Sequence, residues 1–397
     1  MGFSTGVLMP KKAFEVMRNI SVLYSGTFAF LGGILAIILL EKGLDLVQIA
    51  FYYALYSLVV FLLEIPTGAF ADAYGRKKAI AIGFILLIIF LAGFLILPLG
   101  PIFIAFALIV AAGDAMMSGS AEAYVVDMLS ERGKMDYMHK LLAFSKSWFF
   151  SMFLVGSIIG GYLATFSINY PIILCLIFAV SGLFYSLFGL SEKRSKEDFT
   201  SAEKNTLSNM SDAVKLAMKN TSIRILMLLS ILFGLGAAGF FTYWQPIMKD
   251  IAGWNTDALG IFFALISIML IVGSRLSTYL KPSWNTVVLL FLGLSISLFF
   301  ASWVAVPLLL AILILIWELF LGIYLPIEST ITNRNTPSPL RATVISVRAM
   351  AFRAGWVLFG FLVFFIGADE PRVFWVIGAG FLLLGALYVL LKKSKEN

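Results

Sequence analysis

Asp114, Glu318 and Arg353 each stand near the middle of a long apolar run of this 397-residue chain. An ionisable group at the centre of a bilayer costs a few kcal/mol even on lenient insertion scales, so each is expected to face a partner or a water-filled cavity. The two acids occupy equivalent runs in the two halves of the chain, and Arg353 lies about 12 residues, or ~18 Å, into its own run. Burial favours the neutral form of a carboxyl. Either acid can therefore take up and release a proton, with Arg353 able to neutralise one of them, which is what coupling a solute to protons requires. A buried ion pair that only pins helices is the other reading, and which acid is unpaired stays open.

Glu64, Glu122, Lys146, Glu328 and Arg348 lie shallower, about two helical turns from the run ends assigned below to the cytoplasm. That depth suits gating pairs that break as an inner mouth opens; snorkelling to the interface is the alternative. Aromatic residues make up 15% of the chain, and Trp148, Tyr243, Trp244, Trp317 and Trp356 are candidates, with Gln245, to line an apolar, stacking-capable pocket. Pro246 follows them and predicts a kink that serves as an outer gate. One cysteine and one histidine leave no internal disulfide and no histidine-rich metal site. No nucleotide-binding loop and no clustered nucleophile is present. No cofactor, no metal and no enzymatic activity are expected.

The elements that carry these residues follow from composition. Of all residues 61% are hydrophobic and 13% charged, and the mean hydropathy is +0.98. A soluble domain carries roughly 45–50% apolar and about 25% charged residues, so the excess must face lipid. Apolar runs near 19–40, 48–70, 79–98, 102–127, 138–165, 168–190, 223–247, 258–280, 285–304, 306–331, 341–366 and 372–391 predict twelve membrane-spanning helices. Helices rather than barrel strands follow because the runs are continuous, not alternating. The first run is too long for a cleaved signal and is expected to stay in the mature protein. The polar stretch 191–222 separates six spans, 1–190, from six more, 223–397, and reads as a linker. Its segment 210–219 has the spacing of a short interfacial helix, and a solvated tether fits equally well.

Positive charges stay on the cytoplasmic side. On this topology 23 of the 29 Lys and Arg residues fall on one side, including Lys11, Arg76 to Lys78, the linker and Lys392. Both termini are therefore expected in the cytoplasm of a multi-pass protein of the cell membrane. The net charge of +7 is this asymmetry and gives no support to nucleic-acid binding.

Shifting the second half back by about 201–206 positions brings Glu328 onto Glu122, Ser346 onto Ser145 and Gly273 onto Gly68, as an internal duplication would. Between the second and third runs the chain reads Gly68-Ala-Phe-Ala-Asp72-Ala-Tyr-Gly75-Arg76-Lys77-Lys78. This resembles the G-x-x-x-D-x-x-G-R-[KR] loop of the major facilitator superfamily at every defined position, and the six-plus-six arrangement extends the resemblance over the whole chain. It implies an all-α membrane protein of twelve transmembrane helices in two pseudo-symmetric six-helix bundles, a monomer that moves a small-molecule substrate within membrane lipid. It also implies that the loop latches the bundles on the cytoplasmic side, with Asp72 docking at the start of the eleventh span and Arg76 reaching Asp127. Enforcing topology is the plainer role for Arg76, Lys77 and Lys78. The fifth run reads Met152-Phe-Leu-Val-Gly156-Ser157-Ile-Ile-Gly160-Gly161, similar in part to the G-x-x-x-G-P-x-x-G-G motif of the superfamily's drug antiporters, with Met and Ser at its first glycine and its proline.

These readings lead to a secondary transporter working by alternating access, exporting a lipophilic or amphipathic compound in exchange for protons. A symporter or facilitator of a polar or anionic metabolite, with Arg353 and Lys146 as anion clamps, is the rival within the class. A transport-inactive receptor is the rival outside it.

Overall fold

In lipid the backbone has no polar partner but itself, and the apolar runs satisfy it by coiling. The computed structural model describes residues 11–98, 100–131, 133–191, 208, 211, 215, 220–337 and 341–393, and among these the regular structure is helical throughout. The first span is split into Lys11–Ala29 and Leu35–Glu41. The second to sixth are Leu46–Tyr74, Arg76–Ile96, Phe103–Ser130, Met138–Ala164 and Asn169–Phe184, the last prolonged by a π-helical turn over Tyr185–Gly189. The seventh to twelfth are Thr221–Ala252, Thr256–Leu276, Trp284–Trp303, Pro307–Asn335, Arg341–Ile366 and Val373–Lys393. Among the described residues eleven helices are individually long and apolar enough to cross a membrane, and the split span supplies the twelfth crossing.

Polar residues at the ends set the boundaries. Asp45 and Gln48 form a reciprocal capping box at the second span, the Asn220 side chain accepts from the Ile223 amide, and Ser283 accepts from Thr286. Pro307 starts the tenth span in its first turn, where its missing N–H costs nothing. Most of the expected linker, including all of 210–219 except the helical Ser211 and Lys215, lies outside the described residues.

The first span corrects the expected helix over 19–40 in two ways. Its described helix already runs from Lys11, where Ala13, Val16, Met17 and Ile20 bury one face while Lys11, Lys12, Glu15 and Arg18 stay in water. It also breaks over residues 30–34, where Gly32 and Gly33 face the eighth span.

Packing follows the repeat. The first span lies against the fifth and sixth, the second against the fourth, and the third against the fourth and sixth; raising every number by six gives the contacts of the second half. The halves meet where the second span crosses the eleventh and the fifth crosses the eighth, a pair of contacts that the repeat exchanges.

Loops at 42–45, 97–102, 165–168, 253–255, 304–306 and 367–372 share one face, here the far face; the first helix begins and the last ends at the opposite, terminal face. Toward the far face small residues let helices touch. A Cβ on Gly161 would lie 2.9 Å from Gly260 Cα, one on Gly33 would lie 3.0 Å from it, and one on Gly360 would overlap Ala54. Toward the terminal face a Cβ on Gly68 would meet nothing within 4 Å. The seam between the halves is closed on the far side and open beside Gly68.

Replacing Gly260 by Val drives a side chain into the Ser157 carbonyl oxygen and is expected to lower the melting temperature of the detergent-purified protein by several degrees. Gly68→Ala, facing open space, is expected to leave it within ~2 °C. Equal effects of the two variants would contradict the closed far seam.

Candidate functional site

Where the eleventh span crosses the second, contacts descend in register from the far face. Gly360 meets Ala50 and Ala54, Trp356 meets Tyr53 with ring centroids 5.9 Å apart, and Arg353 comes next. The charge of Arg353 bears on Tyr56, Asp114 and Glu64 across the seam. The Tyr56 hydroxyl donates to Asp114 Oδ2 at 2.5 Å. Arg353 of the second half thus faces a tyrosine and two acids on the second and fourth spans of the first half, near mid-depth. Tyr56 holds the Asp114 carboxylate from within the first half, and the cation faces both from the second.

Glu318 is different. It is 1% exposed, and among the described residues its Oε2 has no hydrogen-bond partner and its carboxyl no ion pair. An ionised carboxylate so placed is expensive. Trp317 beside it packs on Phe240 and Phe241 at 4.2 and 5.5 Å. Phe241 stacks at 6.2 Å on Trp356, which meets Tyr53. A continuous row of rings, Tyr53, Trp356, Phe241 and Trp317, therefore runs from beside the Arg353 cluster to the residue before Glu318. Among the described residues the indole N–H groups of Trp317 and Trp356, and the hydroxyl of Thr242 next to Phe241 in the chain, lack hydrogen-bond partners. Buried donors in this condition are rare in finished cores and common where a ligand or water completes the set.

Tyr243, Trp244 and Gln245 sit higher, in the far seam. The Tyr243 hydroxyl donates to the Leu46 carbonyl at 3.0 Å, and Trp244 packs among Phe262 and Phe263. Gln245 is 4% exposed, with both ends of its carboxamide bonded to the backbone of the split first span. Lys249 and Glu41 pair at 3.9 Å above them.

Toward the terminal face, Arg348 and Glu328 are ion-paired within the second half, Glu328 being 2% exposed. Their counterparts in the repeat, Glu122 and Lys146, are exposed, as is Trp148. In the loop after the second span Gly75 is the single non-helical residue, at φ 104°, a conformation that favours glycine. Arg76 starts the next helix there, its Nε 2.7 Å from Asp127 and its Nη2 3.0 Å from Asp72, with Lys77 partly buried beside it.

Sequence reasoning overlooked Tyr53, Tyr56 and Phe241. The signal for the tyrosines was present: Tyr53, Tyr56 and Glu64 are spaced to share one face of an otherwise apolar helix. Phe241 carried none, because one phenylalanine among 37 is not conspicuous.

A family model described as Major Facilitator Superfamily matches residues 20–360. An uncharacterised MFS-type transporter, YxaM, of Bacillus subtilis (strain 168) is 26% identical over 90% of this chain and 91% of its own. Among solved structures, the nucleoside transporter NupG superposes with a TM-score of 0.78 at 14% identity, covering 96% of this chain and 99% of that one. A D-xylose-proton symporter superposes with 0.72 at 16% identity, covering 96% and 97%. At such identities these likenesses concern the fold.

Arg348→Ala strips the cation from a buried carboxylate and is expected to cost about 3–5 kcal/mol of stability. Arg348→Met with Glu328→Gln should recover most of it. Melting curves of the two variants check this, and a double variant no more stable than the single one would refute the pairing.

Proposed function

Because this chain belongs to the major facilitator superfamily, a superfamily of membrane transporters, we propose that it is a secondary transporter that exports a lipophilic or amphipathic small molecule in exchange for protons by alternating access. Its two bundles, 1–190 and 223–397, rock about the seam they share while the linker 191–222 tethers them, both termini lying in the cytoplasm. Glu318 carries the reading: a buried acid without a cation among the described residues, at the end of a row of aromatic rings. A carboxylate there must be either protonated or neutralised by something that arrives. Proton and a positively charged solute then compete for one group, and competition for one group makes the coupling an exchange. The ring faces supply the apolar, cation-attracting surface that such a solute needs.

Asp114 plays a different part. Held by Tyr56 and facing Arg353, it is suited to sense the position of the eleventh span, so that protonation weakens the link between the halves. Glu64 shares that role at the mouth. Arg76, Asp72 and Asp127 form the loop latch, and Glu122 with Lys146 closes the terminal side when the bundles meet there.

One observation favours a second reading. Arg353 is partly exposed and partnered across the seam, so an anionic solute can displace Asp114 from it, which would make the protein a symporter or facilitator of a small acid.

Proteoliposomes under an imposed pH gradient separate the two. On the export reading an aromatic organic cation moves against the proton flow, Glu318→Gln abolishes the response to pH while counterflow of unlabelled solute persists, and Arg353→Lys keeps partial activity. Full pH-driven transport in both Glu318→Gln and Asp114→Asn would end the proton role. Saturable movement of a small carboxylic acid, lost in Arg353→Lys, would instead establish the second reading.

A further inference from the structure

The break in the first span has an unusual filling. An uninterrupted α-helix would bond the Gly32 carbonyl to the amide four residues on, which is that of Ala36. Here the two groups are parted, and the Gln245 carboxamide stands between them. The Ala36 N–H donates to Gln245 Oε1 at 2.8 Å, and Gln245 Nε2 donates to the Gly32 carbonyl at 3.0 Å. One side chain of the seventh span thus replaces one backbone bond of the first span, donor for donor and acceptor for acceptor. Side chains inserted into the helical ladder are a recognised cause of kinks, and in lipid such a break persists only where every freed group is satisfied again.

We infer that Gln245 and the 30–34 segment form a two-state latch of the far gate: with Gln245 inserted the first span is broken and the gate closed, and with Gln245 withdrawn Gly32 and Ala36 bond to each other, the span becomes one helix and the gate opens. The inference rests on the alternating-access reading above and assigns the element that switches. Three observations carry it. First, the two groups released by Gln245 are each other's natural partners, so withdrawal leaves no orphan in the backbone. Second, the broken segment is wedged in the seam that has to part. Gly32 faces Phe153 of the fifth span and Phe263 of the eighth, Gly33 faces Gly260, and Phe30 backbone packs against Gly160. Third, the neighbours of Gln245 on the seventh span also reach across, Tyr243 to the Leu46 carbonyl and Lys249 to Glu41, so the carboxamide leaves when that end of the span moves. The seventh span has no matching break: it is continuous from Thr221 to Ala252. The device therefore belongs to one half of the repeat only.

The test uses full-length protein in lipid nanodiscs, spin-labelled at Pro98→Cys and Asp369→Cys, exposed far-face positions in different halves. Cys175 is fully buried, so it adds no background label. Gln245→Met keeps the length of the side chain and removes both hydrogen bonds. It is expected to shift the two-distance equilibrium toward the longer, open distance by about tenfold or more, as the loss of two buried hydrogen bonds requires. Amide exchange in the peptide spanning 28–41 stays slow, because the helix re-forms. An unchanged distance distribution with fast exchange in 28–41 would overturn the inference, since Gln245 would then be only a filler whose loss strands two backbone groups. Should Gln245→Met fail to fold, Gln245→Asn keeps a neutral carboxamide one methylene too short to bridge both groups. The same directions are expected for it, smaller in size. A single, condition-independent distance in the unsubstituted protein would instead count against alternating access itself, which distinguishes the two failures.

Discussion

Every structural choice in this protein answers to one constraint: a peptide group inside a bilayer must find its hydrogen bond within the protein. Continuous helices meet it over most of the chain. Where helices must touch closely to hold two halves together, the sequence supplies glycine, and the tightest approaches cluster at Gly161, Gly260 and Gly33 on the far side. Where a helix breaks, a carboxamide is brought in from the opposite half to take the two freed groups. The same rule governs the side chains. Arg353 stands deep in the membrane because a tyrosine and two acids of the other half face it.

That placing makes the mid-depth seam an electrostatic joint rather than an apolar one. The far seam is built from backbone contact and hydrogen bonds, which form or fail as a unit. The Arg353 joint is built from charges and one hydroxyl. Glu318, outside that joint and without a cation, is connected to it by rings alone. A molecule lying along those rings would touch both the joint and the isolated acid.

Most of the architecture was legible in the sequence because span length and apolarity are local properties. Even the turn at Val306–Pro307, marked by no charge, lies between helices ending at Trp303 and beginning at Pro307. The break at residues 30–34 was not legible. Gly32 and Gly33 sit in a run that reads as helix, and the residue that holds it open lies more than two hundred positions away. The helical turns from Lys11 to Arg18 were missed because hydropathy averages over turns whose polar and apolar faces cancel. For the site, the depths of Asp114, Glu318 and Arg353 could be counted along each run, but depth says nothing about rotation. Which acid faced the arginine depended on how the second, fourth and eleventh spans turn toward one another. Tyr56, which bonds Asp114 there, lay unnoticed among the other aromatic residues.

The turn at Gly75 has a mechanical consequence. With only one residue outside helical conformation between the second and third spans, there is no slack to absorb rotation of one against the other. The second span spans the seam from Ala50 to Glu64; the third begins with the arginine bonded to Asp127. The two helices form a stiff elbow, with one arm in the joint and the other anchored to the fourth span. Any tilt imposed on the first arm must be delivered, undiminished by a flexible loop, to the charged corner at Arg76.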